Sequence, residues 1–543
     1  MIKNYFRSAW RSLWKTKTNT AINITGLAVG MTAAILILLW VQNEMNFDNY
    51  HKDANNVYRL TTNLKENNWV WESSPLLLAE AAKKEVPEID NTARLFDGNW
   101  AVFNINDNLT YEKTCAYVDD SWFDIFQYNF IAGNAAGFKK DVNSIILTAS
   151  QAKKYFGNRN ALGTVIRVDS MNYVVKGIVK DAPSNSSFQY TSFIPLANLL
   201  KDPDRRANDE QWQNANYISF VKVKPASNTA AVSNKITAVY AKNSGDKEST
   251  ISLVGLKEMH FENEIQSSVF IHGNKNTVYI FTVLAVLLLL IACINYVNLT
   301  TAKASLRAKE VSVRKIAGAS RSHLFYQFIA EALLVSAIAL LLTLILIHFC
   351  LPVFNTVTHK NFELPLSSFG VWKVIGITLM AALLLNSIYP AMVLSSFKPL
   401  NVLKGSALKV KDSYFRKGLV VVQFSFSVML IVGTIIIYQQ MQFIQKTDAG
   451  YNRSQVLSFP IPPNASYKDK ELLIQEIKQD LLSQSSIQSV SIANQSIVNI
   501  GSYSTGSADW EGHDTTFNPK IAQLATDAEF ANTLQLQMKE GRW

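Results

Sequence analysis

TAKASLRAKEVSVRKIAGA, residues 301–319, is the stretch on which the reading of the chain turns. An apolar run, residues 277–299, ends just before it, and another begins at about Leu324. Between the runs stand Lys303, Arg307, Lys309, Arg314, Lys315 and Arg321 against a single acid, Glu310. Short loops rich in Lys and Arg stay on the cytoplasmic side of a bilayer. Residues 300–323 therefore read as a cytoplasmic elbow between two membrane spans. Nothing before Gly318 breaks a helix. The spacing predicts one with Leu306, Val313 and Ala317 along one face and Arg307, Arg314 and Arg321 near another. Gly318 suits a helix C-cap. The charge alone is explained by a topology anchor; the sharper reading is a docking helix for a cytoplasmic partner.

Only 17% of the residues are charged, below the ~25% usual for soluble domains. The net charge of +10 does not indicate nucleic acid, because the basic residues cluster beside apolar runs. They mark the inner face of a membrane. Cys293 and Cys350 fall inside apolar runs, so with Cys115 they form no disulfide framework, and no CxxC or Cys/His cluster suggests a metal.

Working outward, residues 1–20 form a cytoplasmic N-terminus with Lys3, Arg7, Arg11, Lys15 and Lys17 and no acid. Residues 21–41 are a first span, long enough for a ~30 Å hydrocarbon core. A signal peptide usually has a shorter apolar core and a small-residue cleavage site. Here Trp40, Gln42, Glu44 and Met45 follow, which favours an uncleaved span. Residues 42–275 make a large extracytoplasmic region. Within it, residues 75–84 read as a helix starting at Pro75. Residues 143–180 read strand, helix, strand, strand, with Ser150 capping a helix that ends at Phe156-Gly157 and a turn at residues 169–172. Trp69, Trp71, Trp100, Trp122 and Trp212 either line a ligand site or are simply core. The second, third and fourth spans are residues 277–299, 324–351 and 371–395, with only Lys360 and Glu363 charged in the outer loop between the last two. Residues 396–417 are a second basic cytoplasmic loop, residues 418–440 a fifth span, and residues 441–543 the start of a second extracytoplasmic domain. Basic and basic-poor loops alternate at every crossing. The fold expected is an α-helical transmembrane protein with inserted α+β extracytoplasmic domains.

Polar residues inside the spans need a reason. Glu331 is costly in a bilayer and must find a partner or stay protonated. Asn295, Asn298, Asn386 and Gln423 can hydrogen-bond between helices. A proton pathway needs several acids at matching depths, so helix-to-helix bonding is favoured over transport chemistry. Pro390 is expected to kink or end the fourth span.

The chain starts again at about residue 414. Tyr5-Phe6-Arg7 returns as Tyr414-Phe415-Arg416, and Asn56-Val57-Tyr58-Arg59-Leu60 resembles Gln455-Val456-Leu457-Ser458-Phe459. Asp119, Trp122, Phe126, Tyr128, Phe130 and Gly133 share their spacing with Asp527, Phe530, Leu534, Leu536, Met538 and Gly541. The expectation is a duplicated fold and an N-terminal fragment of a protein of roughly 800 residues.

Three stretches carry a family resemblance. One is Asn295-Tyr296-Val297-Asn298-Leu299-Thr300-Thr301-Ala302, continuing through Arg307, Glu310, Val311, Arg314, Lys315, Gly318 and Ala319 to Gln327 and Glu331. Another is SQAKKYFG, residues 150–157, with Gly163, Val174, Gly177, Val179, Asp181, Pro183, Asn185 and Ser186. The third is Tyr389-Pro390-Ala391 with Phe397-Lys398-Pro399. Together they resemble the MacB/FtsX-type permeases of ABC transporters, in the long duplicated form common in Bacteroidetes. The resemblance implies a MacB-like periplasmic core, a cell inner-membrane location with a cytoplasmic N-terminus and periplasmic domains, and a cytoplasmic ABC ATPase subunit as partner. An extracytoplasmic or outer-membrane partner is implied as well. The coupling surface it implies is Arg307, Glu310, Arg314, Lys315 and Gly318. This chain departs from the short four-span members by its repeat, which puts homodimerisation in doubt.

No GxxxxGK[ST] phosphate cradle, HExxH or GxSxG occurs, and the seven histidines are scattered. No catalytic residue, cofactor or metal is expected. The function expected is a permease subunit that couples ATP hydrolysis by its partner to conformational work outside the membrane. That work would be export or extraction of a peptide (an antimicrobial peptide included), a lipoprotein or a drug. The alternative is an FtsX-like transmembrane regulator or sensor that signals to an extracytoplasmic partner without moving cargo. An anchored sensory domain with no ATPase is a third reading; it predicts a cytoplasmic effector domain, which the chain lacks.

Overall fold

In the computed structural model the described residues are 2–15, 17–65, 69–97, 101–105, 107–266, 268–302, 304–358, 360, 362, 369–395, 410–447, 450–452, 455–461, 467–498, 500, 503–504, 510–512 and 521–543. They form two compact units, Met1–Asn46 with Asn274–Gln445, and Phe47–Gly273 with Lys446–Trp543.

The first unit is helical. Among the described residues, five helices are long and apolar enough to cross a membrane. They are Lys17–Met45, Lys275–Ala302, Arg321–Thr358, Phe369–Ser395 and Val410–Lys446, here the first to fifth spans. The shortest has 27 residues, ~40 Å at 1.5 Å per residue. A helix at Ile2–Lys15 precedes the first span, and the elbow forms a helix at Ala304–Ile316. The bundle core joins Leu27, Met31 and Ile35 of the first span to Ala285, Leu289 and Ala292 of the second, Ala339 of the third and Ile375 of the fourth. Small residues allow the backbones to close up, as Gly-x-x-x-Gly pairs do in lipid. Gly26 and Gly30 form such a pair: a Cβ on Gly30 would collide with the Ala292 Cβ, and one on Gly26 would lie 3.4 Å from Asn295 Nδ2. Thr343 Oγ1 of the third span donates to the Ala28 carbonyl at 3.2 Å.

Pro390 does not end the fourth span; the helix runs through it to Ser395, and the third span likewise runs through Pro352. A membrane helix tolerates the missing N–H where neighbours re-satisfy the freed backbone. The third span also extends beyond its expected end to Thr358. Just beyond its C-terminus Lys360 pairs with Glu44, which is buried at the end of the first span.

The second unit is built on a mixed sheet of thirteen strands among the described residues. In chain order these are β1 (Val57–Leu64), β2 (Trp69–Trp71), β3 (Ile89–Asp97), β4 (Ala101–Ile105), β5 (Asn108–Glu112), β6 (Cys115–Val118) and β7 (Phe130–Gly133). They continue with β8 (Ser144–Thr148), β9 (Val165–Val168), β10 (Met171–Val179), β11 (Ser192–Pro195), β12 (Ile218–Val223) and β13 (Thr250–Gly255). The order is β13-β1-β12-β3-β6-β11-β8-β10-β9-β4-β5, with β2 beside β1 and β7 beside β10. β6 with β11 and β8 with β10 are parallel, the latter joined through the helix Ala149–Phe156. Trp122 is fully buried with Phe126, Phe188 and Phe220 in edge-to-face and tilted packing. It is a core residue. Trp69 and Trp71 lie elsewhere on β2 and Trp212 packs on another cluster, so among the described residues no tryptophan-lined site forms; Trp100 lies outside them.

Two local expectations are corrected. The helix expected from Pro75 begins at Leu78 and ends at Glu85, because Pro75 to Leu78 form a turn first. The cap of Ala149–Phe156 is Thr148, whose hydroxyl accepts from the Gln151 amide; the Ser150 hydroxyl is instead engaged by Asp181 at 2.5 Å.

The repeat is visible in part. The Asp119 amide donates to the Arg94 carbonyl at 3.2 Å, and the Arg94 amide donates to Asp119 Oδ2 at 2.8 Å. Far along the chain, the Asp527 amide donates to the Ile492 carbonyl at 3.2 Å, and the Ile492 amide donates to Asp527 Oδ2 at 3.1 Å. A short helix follows each aspartate, Trp122–Ile125 and Phe530–Leu534. The other match fails: residues 57–60 lie in β1, whereas residues 456–459 form no strand.

Candidate coupling site

The elbow helix ends in a left-handed turn. Gly318 takes φ +95°, and the Ala319 amide donates to the Arg314 carbonyl at 2.9 Å, the six-to-one bond of a glycine cap. Arg314 is the hub. Its Nη2 donates to Glu310 Oε1 at 2.6 Å, one turn back, and its Nη1 donates to Gln327 Oε1 at 2.6 Å on the third span. Gln327 Nε2 in turn donates to Ser8 Oγ at 3.1 Å on the N-terminal helix. Lys315 Nζ donates to the Ser395 carbonyl at 2.7 Å, at the end of the fourth span. Burial lowers the Lys315 pKa, and the Arg321 charge adds to the shift. The elbow is thus tied to two spans and, through Gln327, to the N-terminal helix.

Val311 and Ser312 are buried, while Val313 and Ile316 are 66% and 65% exposed and Ala317 is exposed. Periodicity fixes which residues share a face, but not which face the neighbouring spans cover. Arg307 lies in the helix, but its side chain and that of Leu306 are outside the described residues.

The intramembrane polar residues do not gather at one point. Asn298 Nδ2 reaches Gln423 Oε1 of the fifth span at 3.5 Å, and Asn295 faces Gly26 of the first. Glu331 is buried on the third span, and Asn386 is buried beside Cys293.

In the second unit, the residues through which the chain arrives and departs form a base that sequence reasoning missed. The Phe47 ring stacks on His260 with centroids 3.5 Å apart and planes 3° apart. The Gly273 amide donates to the His260 carbonyl at 2.7 Å. Asp48, in the left-handed region at φ +53°, accepts from the Ser187 amide at 2.9 Å and hydroxyl at 2.6 Å. Burial pushes its carboxyl up to about 6, against the opposing pull of those bonds. His51 Nδ1 accepts from the Gln127 amide at 3.0 Å, and burial lowers its pKa to about 4. Arg59, fully buried, pairs with Glu72 at 3.0 Å and with Glu262. Glu72 also accepts from the Ser268 hydroxyl and the Val269 amide. Desolvation raises both carboxyls and lowers the guanidinium. Arg59 and Glu262 stand 203 positions apart, so no local pattern signals the cluster.

Residues 20–239 match the family described as MacB-like periplasmic core domain, and residues 282–399 match the FtsX-like permease C-terminal family. The chain is a permease of the MacB/FtsX type. It is an inner-membrane protein with a periplasmic domain. This MacB/FtsX-type permease is 25% identical over 240 residues to the macrolide export ATP-binding/permease protein MacB of Campylobacter jejuni strain 81-176, covering 43% of this chain and 34% of that protein. With the MacB of Photorhabdus laumondii it shares 22% over 352 residues, 60% of this chain and 49% of the relative. The permease therefore spans from about a third to a half of the length of these curated relatives. Among solved structures, a domain of a permease protein from Porphyromonas gingivalis aligns with TM-score 0.34 and 18% identity, covering 40% of this chain and 96% of that one. The periplasmic region of MacB from Actinobacillus actinomycetemcomitans aligns with TM-score 0.29 and 14% identity, covering 36% and 88%.

Proposed function

We propose that this permease couples ATP hydrolysis by a separate cytoplasmic ABC ATPase to conformational work by its periplasmic domain, in export or extraction of a peptide, lipoprotein or drug. One observation carries the reading. Arg314 holds Glu310 on its own helix and Gln327 on the third span, and Lys315 holds the end of the fourth. A short helix fixed at these points transmits a push to two spans. Its outer side offers Val313 and Ile316 amid basic residues, a surface for an apolar contact ringed by acids on the ATPase. Arg307, Glu310, Arg314, Lys315 and Gly318 are its assigned residues, and Glu331, Asn295, Asn298 and Gln423 hold spans together. The N-terminus lies in the cytoplasm, with the domain boundaries as read from the sequence.

The test is co-purification of the full protein with its ATPase, comparing wild type with Arg314→Glu. Loss of the ATPase, or of its stimulation, in a variant that still folds supports coupling. An ATPase that is never retained, together with an Arg314→Glu protein indistinguishable from wild type, removes it. A cysteine at Ala317 probes orientation: labelling of intact cells by a membrane-impermeant thiol reagent would place the elbow outside and leave the ATPase nowhere to bind. ATP-dependent cargo movement in vesicles separates export from signalling.

A further inference from the structure

We infer that the helix Ile2–Lys15 is an interfacial element whose outer face takes the headgroups of anionic phospholipids. Its inner face is settled: Ala9 and Leu13 are buried, the latter against Tyr296, Val297 and Val335 of the second and third spans. Among the described residues, nothing covers the adjacent arc. Trp10 and Trp14, one turn apart with centroids 6.4 Å from each other, are 51% and 58% exposed. At 100° per residue the next arc holds Arg7 and Arg11, both exposed. Lys17 Nζ stands 4.9 Å over the Trp14 ring. Order around the helix is therefore buried aliphatic, exposed indole, exposed guanidinium. That is the order met on passing from protein to acyl chain to headgroup.

Charge names the occupant. No acid occurs before Glu44, so the sequence around Arg7, Arg11 and Lys17 supplies no counter-charge of its own. Indoles settle at the membrane–water boundary, and basic residues beside them gain from anionic lipid within a Debye length. Thr16 alone separates this helix from the first span, so it lies at the cytoplasmic end of that span in the topology above. A zwitterionic surface would satisfy the tryptophans and leave the arginines without a counter-charge.

The test uses the full protein in nanodiscs of phosphatidylcholine alone or of phosphatidylcholine with phosphatidylglycerol. Amide hydrogen exchange is read in residues 2–15. Slower exchange is expected in the phosphatidylglycerol discs, with about a five-fold loss of that extra protection for each arginine removed in Arg7→Gln and Arg11→Gln. Arg7→Lys with Arg11→Lys retains it. Trp10→Ala with Trp14→Ala speeds exchange in both kinds of disc. Unchanged exchange in the five spans shows that each variant is folded. Equal protection in the two discs, or a phosphatidylglycerol effect that survives in the double glutamine variant, overturns the proposal. No ATPase is present, so the outcome is independent of the coupling reading.

Discussion

Asp119 grips Arg94 by main chain and side chain together. Besides the paired backbone bonds, the Asp119 carboxylate receives Arg94 Nε and Nη2 at 2.8 and 2.9 Å, in a fork. Glu80 takes the same Nη2 at 2.6 Å, and Arg94 Nη1 donates to the Leu76 carbonyl at 2.9 Å. The guanidinium thus ties the helix Leu78–Glu85 and the turn after β6 to β3. Asp119→Ala leaves a mostly buried cation with one exposed acid. It should cost about 2–3 kcal/mol, read by pulse proteolysis of the periplasmic domain in the full protein.

At the later of the two aspartates Lys478 takes the place of the guanidinium beside Asp527, and both side chains are about a quarter exposed. Asp527→Ala should therefore cost about 1 kcal/mol or less. Proteolysis should quicken within residues 446–543 while the domain Phe47–Gly273 stays as resistant as in wild type.

Gly30→Val drives two methyls into Ala292 on a neighbouring span. A loss of about 2–3 kcal/mol is expected, seen as a lower temperature of aggregation in detergent. Gly26→Ala meets only the movable tip of Asn295 and should leave that temperature almost unchanged.

At Gly318 a Cβ would meet nothing within 4 Å, so only backbone strain opposes a side chain. Gly318→Ala should cost about 1–2 kcal/mol in the elbow, and Gly318→Asn less, because asparagine tolerates the left-handed region. Hydrogen exchange at Ala319 would read the difference.

Two groups at the base of the periplasmic domain titrate in opposition. Asp48 has its folded pKa raised from 3.8 to about 6, so its contribution is full below 3.8 and lost as pH rises through about 6. His51 has its folded pKa lowered from 6.5 to about 4, so its contribution is full above 6.5 and lost as pH falls through about 4. Each shift corresponds to about 3 kcal/mol at 1.36 kcal/mol per unit. Between pH 4 and 6 they nearly cancel. Relative to wild type, Asp48→Asn should gain stability as pH rises across that window, and His51→Gln should lose it. Pulse proteolysis at a series of pH values measures both; parallel profiles for all three proteins would contradict the assignment.

The five long apolar helices fall on apolar runs that chain order alone made legible, because such runs and basic loops act on a membrane without help from tertiary contacts. Gly318 was legible for the same reason: a helix that must stop beside glycine has few ways to do so. Thr148 and Ser150 show where local reading falters. Both hydroxyls can cap, and only the distant Asp181 decides between them by capturing Ser150. Val313 was assigned to the right helix, yet the neighbours that leave it uncovered lie on other segments. Arg59, Glu72 and Glu262 carry no pattern at all, since the tertiary fold brings them together across as many as 203 positions. Gly26 and Gly30, four residues apart in an apolar run, did carry one, a sign of the contact between the first two spans that sequence reasoning missed.

β1 and β13 run side by side, with Tyr58 opposite Gly255, so the strand that follows the first span and the strand that precedes the second belong to one seam. Chain entry and chain exit therefore meet on neighbouring strands, clasped by one ladder of backbone hydrogen bonds, and fraying of that ladder would loosen both at once.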